Sequence, residues 1–257
     1  MRGGGALRTL AGAGGLLSAG RAMPDVSRLG IPTGPPPGLT RLGEATAAVQ
    51  FSRLVAAAPR LARVPRGDGS VVIDLPGWRA PEESGAPIRA FLRRIGWRTY
   101  GWGLHANTRD VRSSIGSMER RVSELCESSG RPVALVGWSL GGVIAREVAR
   151  RRPEQVRHVV TFGSPIVAGP AFTVFSGLYN PTDSNRIRSL SESLDRRTPI
   201  KVPLTVIYSR RDGVVAWQAC IDRVSPHAEH FEVTSPHLGL GIDPDVWEIV
   251  ARRLAGD

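Results

Sequence analysis

The chain has 257 residues, enough for one domain that buries a sizeable core, and its apolar content is ordinary for a globular protein. Its formal charge is +11, yet of 34 basic residues only Lys201 is a lysine, a skew that fits GC-rich coding better than a polyanionic partner. The arginines are scattered, with short clusters at Arg150–Arg152 and Arg252–Arg253. That pattern reads as a solvated face, with an anionic membrane surface as the minority reading, and no aromatic-plus-basic module for nucleic acid appears. Two cysteines, Cys126 and Cys220, are too few and too distant for a disulfide framework or a zinc site, and a pairing of the two is disfavoured. No run of 18 apolar residues exists, so no membrane-spanning helix is predicted.

Residues 1–40 are rich in Gly, Ala and Pro, and read as a disordered or extended segment. Arg2, Arg8 and Leu10–Ala19 faintly mimic a secretory signal, but the apolar centre of that stretch is mostly Gly and Ala. The sequence therefore points to the cytoplasm, with secretion as the alternative, and Met23 is a second candidate start. Residues 41–257 read as one domain. Gly43–Ala58 has the pattern of an amphipathic helix with Ala47, Phe51, Leu54 and Val55 on one stripe, ended by Pro59. Val71–Leu75 is a buried strand and runs into the turn Leu75-Pro76-Gly77-Trp78. Ala86–Ile95 is a helix and Trp97–Trp102 a strand, followed by Gly103–Asn107 with His105 at the strand end. Val111–Glu127 is a helix that turns Ile115, Met118, Val122 and Leu125 inward and carries Cys126.

Pro132–Val136 then forms a continuous apolar strand, Gly137–Gly142 a sharp turn, and Val143–Arg150 a helix. His158–Phe162 is the next strand, and between Phe162 and Val202 the alternation breaks. Leu204–Tyr208 is a strand followed by Ser209–Val215, and His230–Val233 is a short last strand followed by Thr234–Gly241. Asp243–Leu254 is the closing helix. Strands alternating with helices imply an α/β fold with a mostly parallel doubly wound sheet and helices on both faces, which binds ligands at the carboxyl ends of its strands.

The turn Gly137-Trp138-Ser139-Leu140-Gly141 carries the chemistry. A serine hydroxyl is a weak nucleophile and must be held in a pocket beside a base. A strand-to-helix turn achieves this by straining the serine backbone, which requires neighbours with almost no side chain. The following helix aims its amide end at the site, so the Leu140 N–H can bind a developing oxyanion. Gly-x-Ser-x-Gly alone is short enough to occur by chance; the strand before it and the helix after it supply the required context.

In that context the stretch Ser70–Gly256 resembles the serine esterase and lipase branch of the α/β-hydrolase superfamily. The resemblance implies the α/β-hydrolase fold with a small lid insertion over residues 165–200. It also implies cleavage of carboxylic esters through an acyl-enzyme on Ser139, and the chain order serine, acid, histidine. Asp212, one turn past its strand and before Gly213-Val214-Val215, matches the acid loop; Asp222, on the helix pattern that follows, and Asp183, in the insertion, are weaker candidates. His237 follows the acid, leaves a strand end and lies in a loop able to reach Ser139, whereas His158 and His230 open strands and His227 precedes one. Trp78 is aligned with the second oxyanion donor beside Leu140, although Pro76 stands where the family usually has histidine. The apolar residues Ile166–Phe175 suit a lipid or small-molecule ester, and peripheral membrane contact fits the same reading. No metal or cofactor is implied. The rival readings are an acyltransferase or perhydrolase with the same three residues, and a non-catalytic binding protein on the hydrolase fold.

Overall fold

The computed structural model describes residues 29–104, 111–167, 169–178, 189 and 192–257. Six strands form one all-parallel sheet: β1 (Val71–Leu75), β2 (Arg98–Gly101), β3 (Val133–Trp138), β4 (Val156–Phe162), β5 (Leu204–Ser209) and β6 (Ala228–Val233). Their order across the sheet is β2-β1-β3-β4-β5-β6. The chain begins at β1, steps outward to β2, then returns to build in the opposite direction from β3. The crevice between the ends of β1 and β3 is therefore the topological switch point, where sheets of this kind bind ligands.

Helices α1 (Gly38–Leu42), α2 (Val49–Ala56) and α3 (Ala58–Leu61) precede the sheet. Then come α4 (Ala86–Arg94), α5 (Val111–Ser129), α6 (Leu140–Arg151) and α7 (Pro244–Ala255). The strand residues alternate between two cores, as the two-residue period of a strand demands. Val71, Ile73 and Leu75 of β1, Leu135 of β3 and Val206 and Tyr208 of β5 face α5 and α6, meeting Met118, Val122, Ile144 and Val148. Val72, Val136, Val160 and Ile207 face the other way, onto Ile88, Phe91 and Leu92 of α4 and Trp247, Val250 and Leu254 of α7. Both faces of the inner strands are covered, which explains why β1, β3 and β5 read as largely apolar runs, whereas the edge strands β2 and β6 are partly exposed and more polar. Helix α7 is sharply started: the Asp243 side chain accepts from the N–H groups of Asp245 and Val246, and Pro244 fits the first turn.

Three local expectations need correction. The stretch 43–58 is not one α-helix: Gly43–Ala48 is a 3₁₀ turn, and α2 begins only at Val49. Three residues per turn in the first part shift the phase of the second, so Phe51 and Val55 are exposed while Gln50 is buried and Leu54 packs on the core. Pro59 does not end helical structure; it lies in the first turn of α3, where its missing N–H costs nothing. Asp222 lies on no helix, because Trp217–Cys220 is a single 3₁₀ turn. Asp222 Oδ1 accepts from the backbone of Val224 and Ser225, and so makes a turn in place of a helix.

The arginines are not all on a solvated face. Arg146 of α6 is buried, with Nη2 2.6 Å from Asp222 Oδ2 and 3.4 Å from Asp195 Oδ1. Arg150 Nη2 reaches the same Asp195 oxygen at 2.5 Å. Burial works against the charged form of Asp222, but Arg146 and hydrogen bonds from residues 224–225 outweigh it and hold the carboxyl below its usual range. Asp195 belongs to a helical turn over 192–197, so this cluster ties the segment returning from the 165–200 stretch to α6. Cys126 is half-buried and Cys220 fully buried, and neither is bonded. Among the described residues no helix is long and apolar enough to cross a membrane.

Candidate active site

Ser139 caps α6 at φ 53° and ψ −120°, a conformation that non-glycine residues rarely adopt; the only other described non-glycine residue with positive φ is Arg79. The strain is held by tight packing around the turn. A Cβ on Gly137 would stand 2.5 Å from Gly142 Cα and the same distance from its nitrogen. One on Gly141 would stand 2.7 Å from the Leu75 carbonyl carbon and from Pro76 O, and one on Gly142 would strike the Ser164 side chain. The Ser139 N–H donates to Phe162 O at 3.0 Å, so the end of β4 also clasps the turn.

The loop after β1 lies against this turn. A Cβ at Gly77 would come within 3.3 Å of Ser139 Cβ and 3.0 Å of the Trp138 ring, so only glycine lets Trp78 approach. Behind the loop, the Arg89 guanidinium donates to Asp74 Oδ2 and to Glu82 O, each at 2.8 Å. Burial raises the Asp74 carboxyl to about 6 despite the pull of Arg89. The Trp78 ring meets Phe175 edge-on, with centroids 4.4 Å apart, and the Arg79 guanidinium lies 5.7 Å from the Trp78 ring centre.

Asp212 and His237 meet at the ends of β5 and β6. The His237 Nδ1–H donates to Asp212 Oδ2 at 2.7 Å, and both side chains are almost wholly buried. Asp212 Oδ1 accepts from the N–H groups of Val214 at 2.9 Å and Val215 at 2.7 Å, which fixes the carboxylate plane. A carboxylate oxygen accepts, so Nδ1 is the donating nitrogen of this bond and Nε2 is the one turned away from Asp212. Gly163, at φ +57°, passes beneath the pair, and a Cβ there would be 3.0 Å from His237 Nδ1. The His237 ring lies 5.4 Å from the ring of Trp138, the residue before Ser139. Five strands thus deliver Trp78, Ser139, Gly163, Asp212 and His237 to one edge of the sheet, while Leu140 opens α6 at the same place.

The other candidates lie elsewhere. Asp222 is committed to Arg146. His230 is buried and its Nε2 accepts from the Asp222 N–H at 3.1 Å. His158 is buried and bonded to the Thr205 hydroxyl at 2.9 Å. Burial is the leading cause that lowers both imidazoles to about 4, so neither is charged near neutrality. His105 and Asp183 lie outside the described residues. Sequence reasoning missed Gly163, whose signal is a glycine directly after a strand, and Glu44, whose carboxylate touches both the acid loop and the histidine loop. No spacing rule connects position 44 to either.

A strained serine between strand and helix thus stands at the switch point of a doubly wound parallel sheet, and a buried carboxylate–imidazole pair stands at the same sheet edge, at the ends of β5 and β6. The chain belongs to the alpha/beta hydrolase family, whose model matches residues 48–254. It is similar to pimeloyl-[acyl-carrier protein] methyl ester esterase from Shewanella woodyi, with 31% identity over 103 residues; the match covers 38% of this chain and 37% of that protein. Among solved structures it resembles one reported for LipS and LipT, two metagenome-derived lipolytic enzymes, at TM-score 0.59 and 18% identity, covering 75% of this chain and 95% of the other. It also resembles alpha/beta hydrolase domain-containing protein 10 from mouse, at TM-score 0.52 and 18% identity, covering 74% and 90%.

Proposed function

We propose that the protein is a serine hydrolase that cleaves carboxylic esters through an acyl-enzyme on Ser139. The observation that carries this reading is the strained Ser139 at the end of β3, next in sequence to Trp138, whose ring lies 5.4 Å from an imidazole bonded through Nδ1 to a buried Asp212 at 2.7 Å. In the first step His237 Nε2 takes the Ser139 proton as Oγ attacks the ester carbonyl. Asp212 keeps the ring in the productive tautomer and stabilises the imidazolium that forms. The Leu140 and Trp78 N–H groups hold the oxyanion. The imidazolium then protonates the departing alkoxide, and water attacks the acyl-enzyme by the same route in reverse. Every proton moves between groups of this chain and the substrate, so the cycle calls for no metal or cofactor.

Residues 41–257 form the hydrolase unit in this reading, and the 165–200 insertion acts as the lid. Its first part pairs with the acid loop through the Thr173↔Val215 bridge and the Val174 N–H to Val214 O bond of 2.9 Å. The edge-on pair Trp78 and Phe175 and the partly buried Leu140 and Val214 are the apolar side chains that would receive a lipid or small-molecule ester in this reading.

The test is hydrolysis of p-nitrophenyl esters from acetate to palmitate, with the methyl ester named for the Shewanella protein in the panel, and labelling by a fluorophosphonate. Ser139→Ala should abolish labelling and lower kcat by about 10⁴-fold or more. A Ser139→Ala variant that keeps most of its activity would refute the assignment. Added alcohol reports transfer: accumulation of the new ester in place of the free acid would make the protein an acyltransferase on the same site.

A further inference from the structure

We propose that Glu44, from the 3₁₀ turn before α2, is a positioning residue that holds the acid and base loops in register; the inference rests on the reading of Asp212 and His237 given above. The β5–β6 ladder ends at Ser209↔Val233, short of both residues. Beyond it the two loops run on separately: among the described residues no backbone hydrogen bond joins 210–216 to 234–241. Apart from the His237–Asp212 bond itself, the link between them is one carboxylate. Glu44 Oε1 accepts from the Gly213 N–H at 2.7 Å and from the His237 N–H at 2.8 Å. Its Oε2 accepts from the Leu238 N–H at 2.8 Å. Gly213 directly follows the acid and His237 is the base, so the carboxylate grips the backbone of both loops within one residue of the working side chains.

The surrounding packing is built for this grip. A Cβ on Gly213 would stand 2.8 Å from Arg41 Cα and 2.9 Å from the Thr40 carbonyl carbon, so glycine is what lets the N-terminal segment come close. On the other loop, a Cβ on Gly239 would stand 2.7 Å from Gln50 Cγ, so α2 seats on the histidine loop in the same way. The Gly213 and His237 N–H groups are part-buried and would lose their acceptor without Glu44, whereas the Leu238 N–H is open to water. Catalytic geometry tolerates little play, since a displacement of about 1 Å can cost about 100-fold in rate. The N-terminal segment is on this view part of the hydrolytic apparatus through one side chain.

The experiment measures kcat per fluorophosphonate-titrated site, together with KM and thermal stability, for wild type, Glu44→Ala, Glu44→Gln and Ser139→Ala. Glu44→Ala should lower kcat per titrated site by about 10- to 100-fold with KM held within about twofold. Glu44→Gln keeps one amide oxygen for Gly213 and His237 and loses only the Leu238 bond. It should therefore recover most of the activity, remaining about 2- to 10-fold below wild type. A merely structural role would lower the melting temperature and the titratable fraction but leave kcat per titrated site unchanged, and that result would overturn the proposal. Should Glu44→Ala not fold, Glu44→Gln decides alone: wild-type kcat at every titrated site refutes the inference. If wild type is not labelled at Ser139, the functional reading fails instead, so the two failures are told apart.

Discussion

Gly141→Ala puts the contact between the serine turn and the loop after β1 to a quantitative test. The new methyl would stand 2.7 Å from the Leu75 carbonyl carbon and from Pro76 O, with Leu75 O nearer still, while ordinary contact begins at 3.4 Å. These neighbours are backbone atoms at the end of β1, so no side chain can swing aside, and the loop must recede by about 1 Å. Alanine improves helix propensity at this position by up to about 1 kcal/mol. Overpacking against fixed backbone costs about 1–3 kcal/mol, so the collision wins, and Tm should fall by about 2–8 °C for a domain of this size. Because the receding loop carries Trp78, kcat on a p-nitrophenyl ester should fall about 100-fold. Gly142→Ala is the matched control. Its methyl meets the Ser164 side chain, with Cβ atoms 2.9 Å apart, so Ser164→Ala should restore part of its stability but do nothing for Gly141→Ala. A Gly141→Ala enzyme with wild-type Tm and kcat would show that the loop is not pinned to the turn, and the argument for Trp78 as a donor would fall with it.

Asp212→Asn should keep the fold but allow the opposite tautomer of His237, lowering kcat by about 10⁴-fold in single-turnover assays. Arg146→Met removes the cation shared by Asp222 and Asp195; Arg150 still pairs Asp195, but Asp222 is left as a buried carboxylate without its counter-ion, and urea titration should show a loss of about 3–5 kcal/mol. The buried histidines set an acid limit. His158 and His230 have folded-state pKa values near 4 against 6.5 unfolded, so the unfolded chain takes up protons first as pH falls. Stability should be intact above about pH 6.5 and decline towards pH 4, by up to about 3 kcal/mol for each histidine. The raised Asp74 works in the opposite sense, gaining a proton in the folded state below about pH 6. His158→Gln, which preserves a bond to Thr205 without titrating, should flatten the decline when unfolding free energy is measured across that range.

The inner strands of the sheet were legible because they are buried on both faces and therefore read as largely apolar runs whatever their neighbours. Val71–Leu75 carries its own evidence, since five consecutive apolar or paired residues fit little else. The surroundings of Ser139 were legible because strand, glycines and helix are contiguous in sequence, although only the collision at Gly137 is local; Gly141 faces Leu75 and Pro76, and Gly142 faces Ser164. What escaped was set by contacts between distant parts of the chain. Periodicity assigned Phe51 and Val55 to the inner face of a helix, but a 3₁₀ turn rotated them outward and turned Gln50 to the histidine loop. Nothing in its neighbours marks Arg146 as a buried arginine; its partners lie 49 and 76 residues away. Glu44 resembles any acidic residue near a helix start, and its three partners are contributed by loops that follow at least 169 residues later.

The stretch from 173 to 195 is fastened at both ends, by Thr173 to the acid loop and by Asp195 to Arg146 and Arg150 of the serine helix. With both ends moored, the interval is a closed loop, and doubling a closed loop adds only about 0.6 kcal/mol of entropy cost. New residues inserted between the two moorings would leave the six-stranded sheet undisturbed. Descendants of this scaffold can thus vary one interval of chain in length and side chains, with the sheet beneath left unaltered.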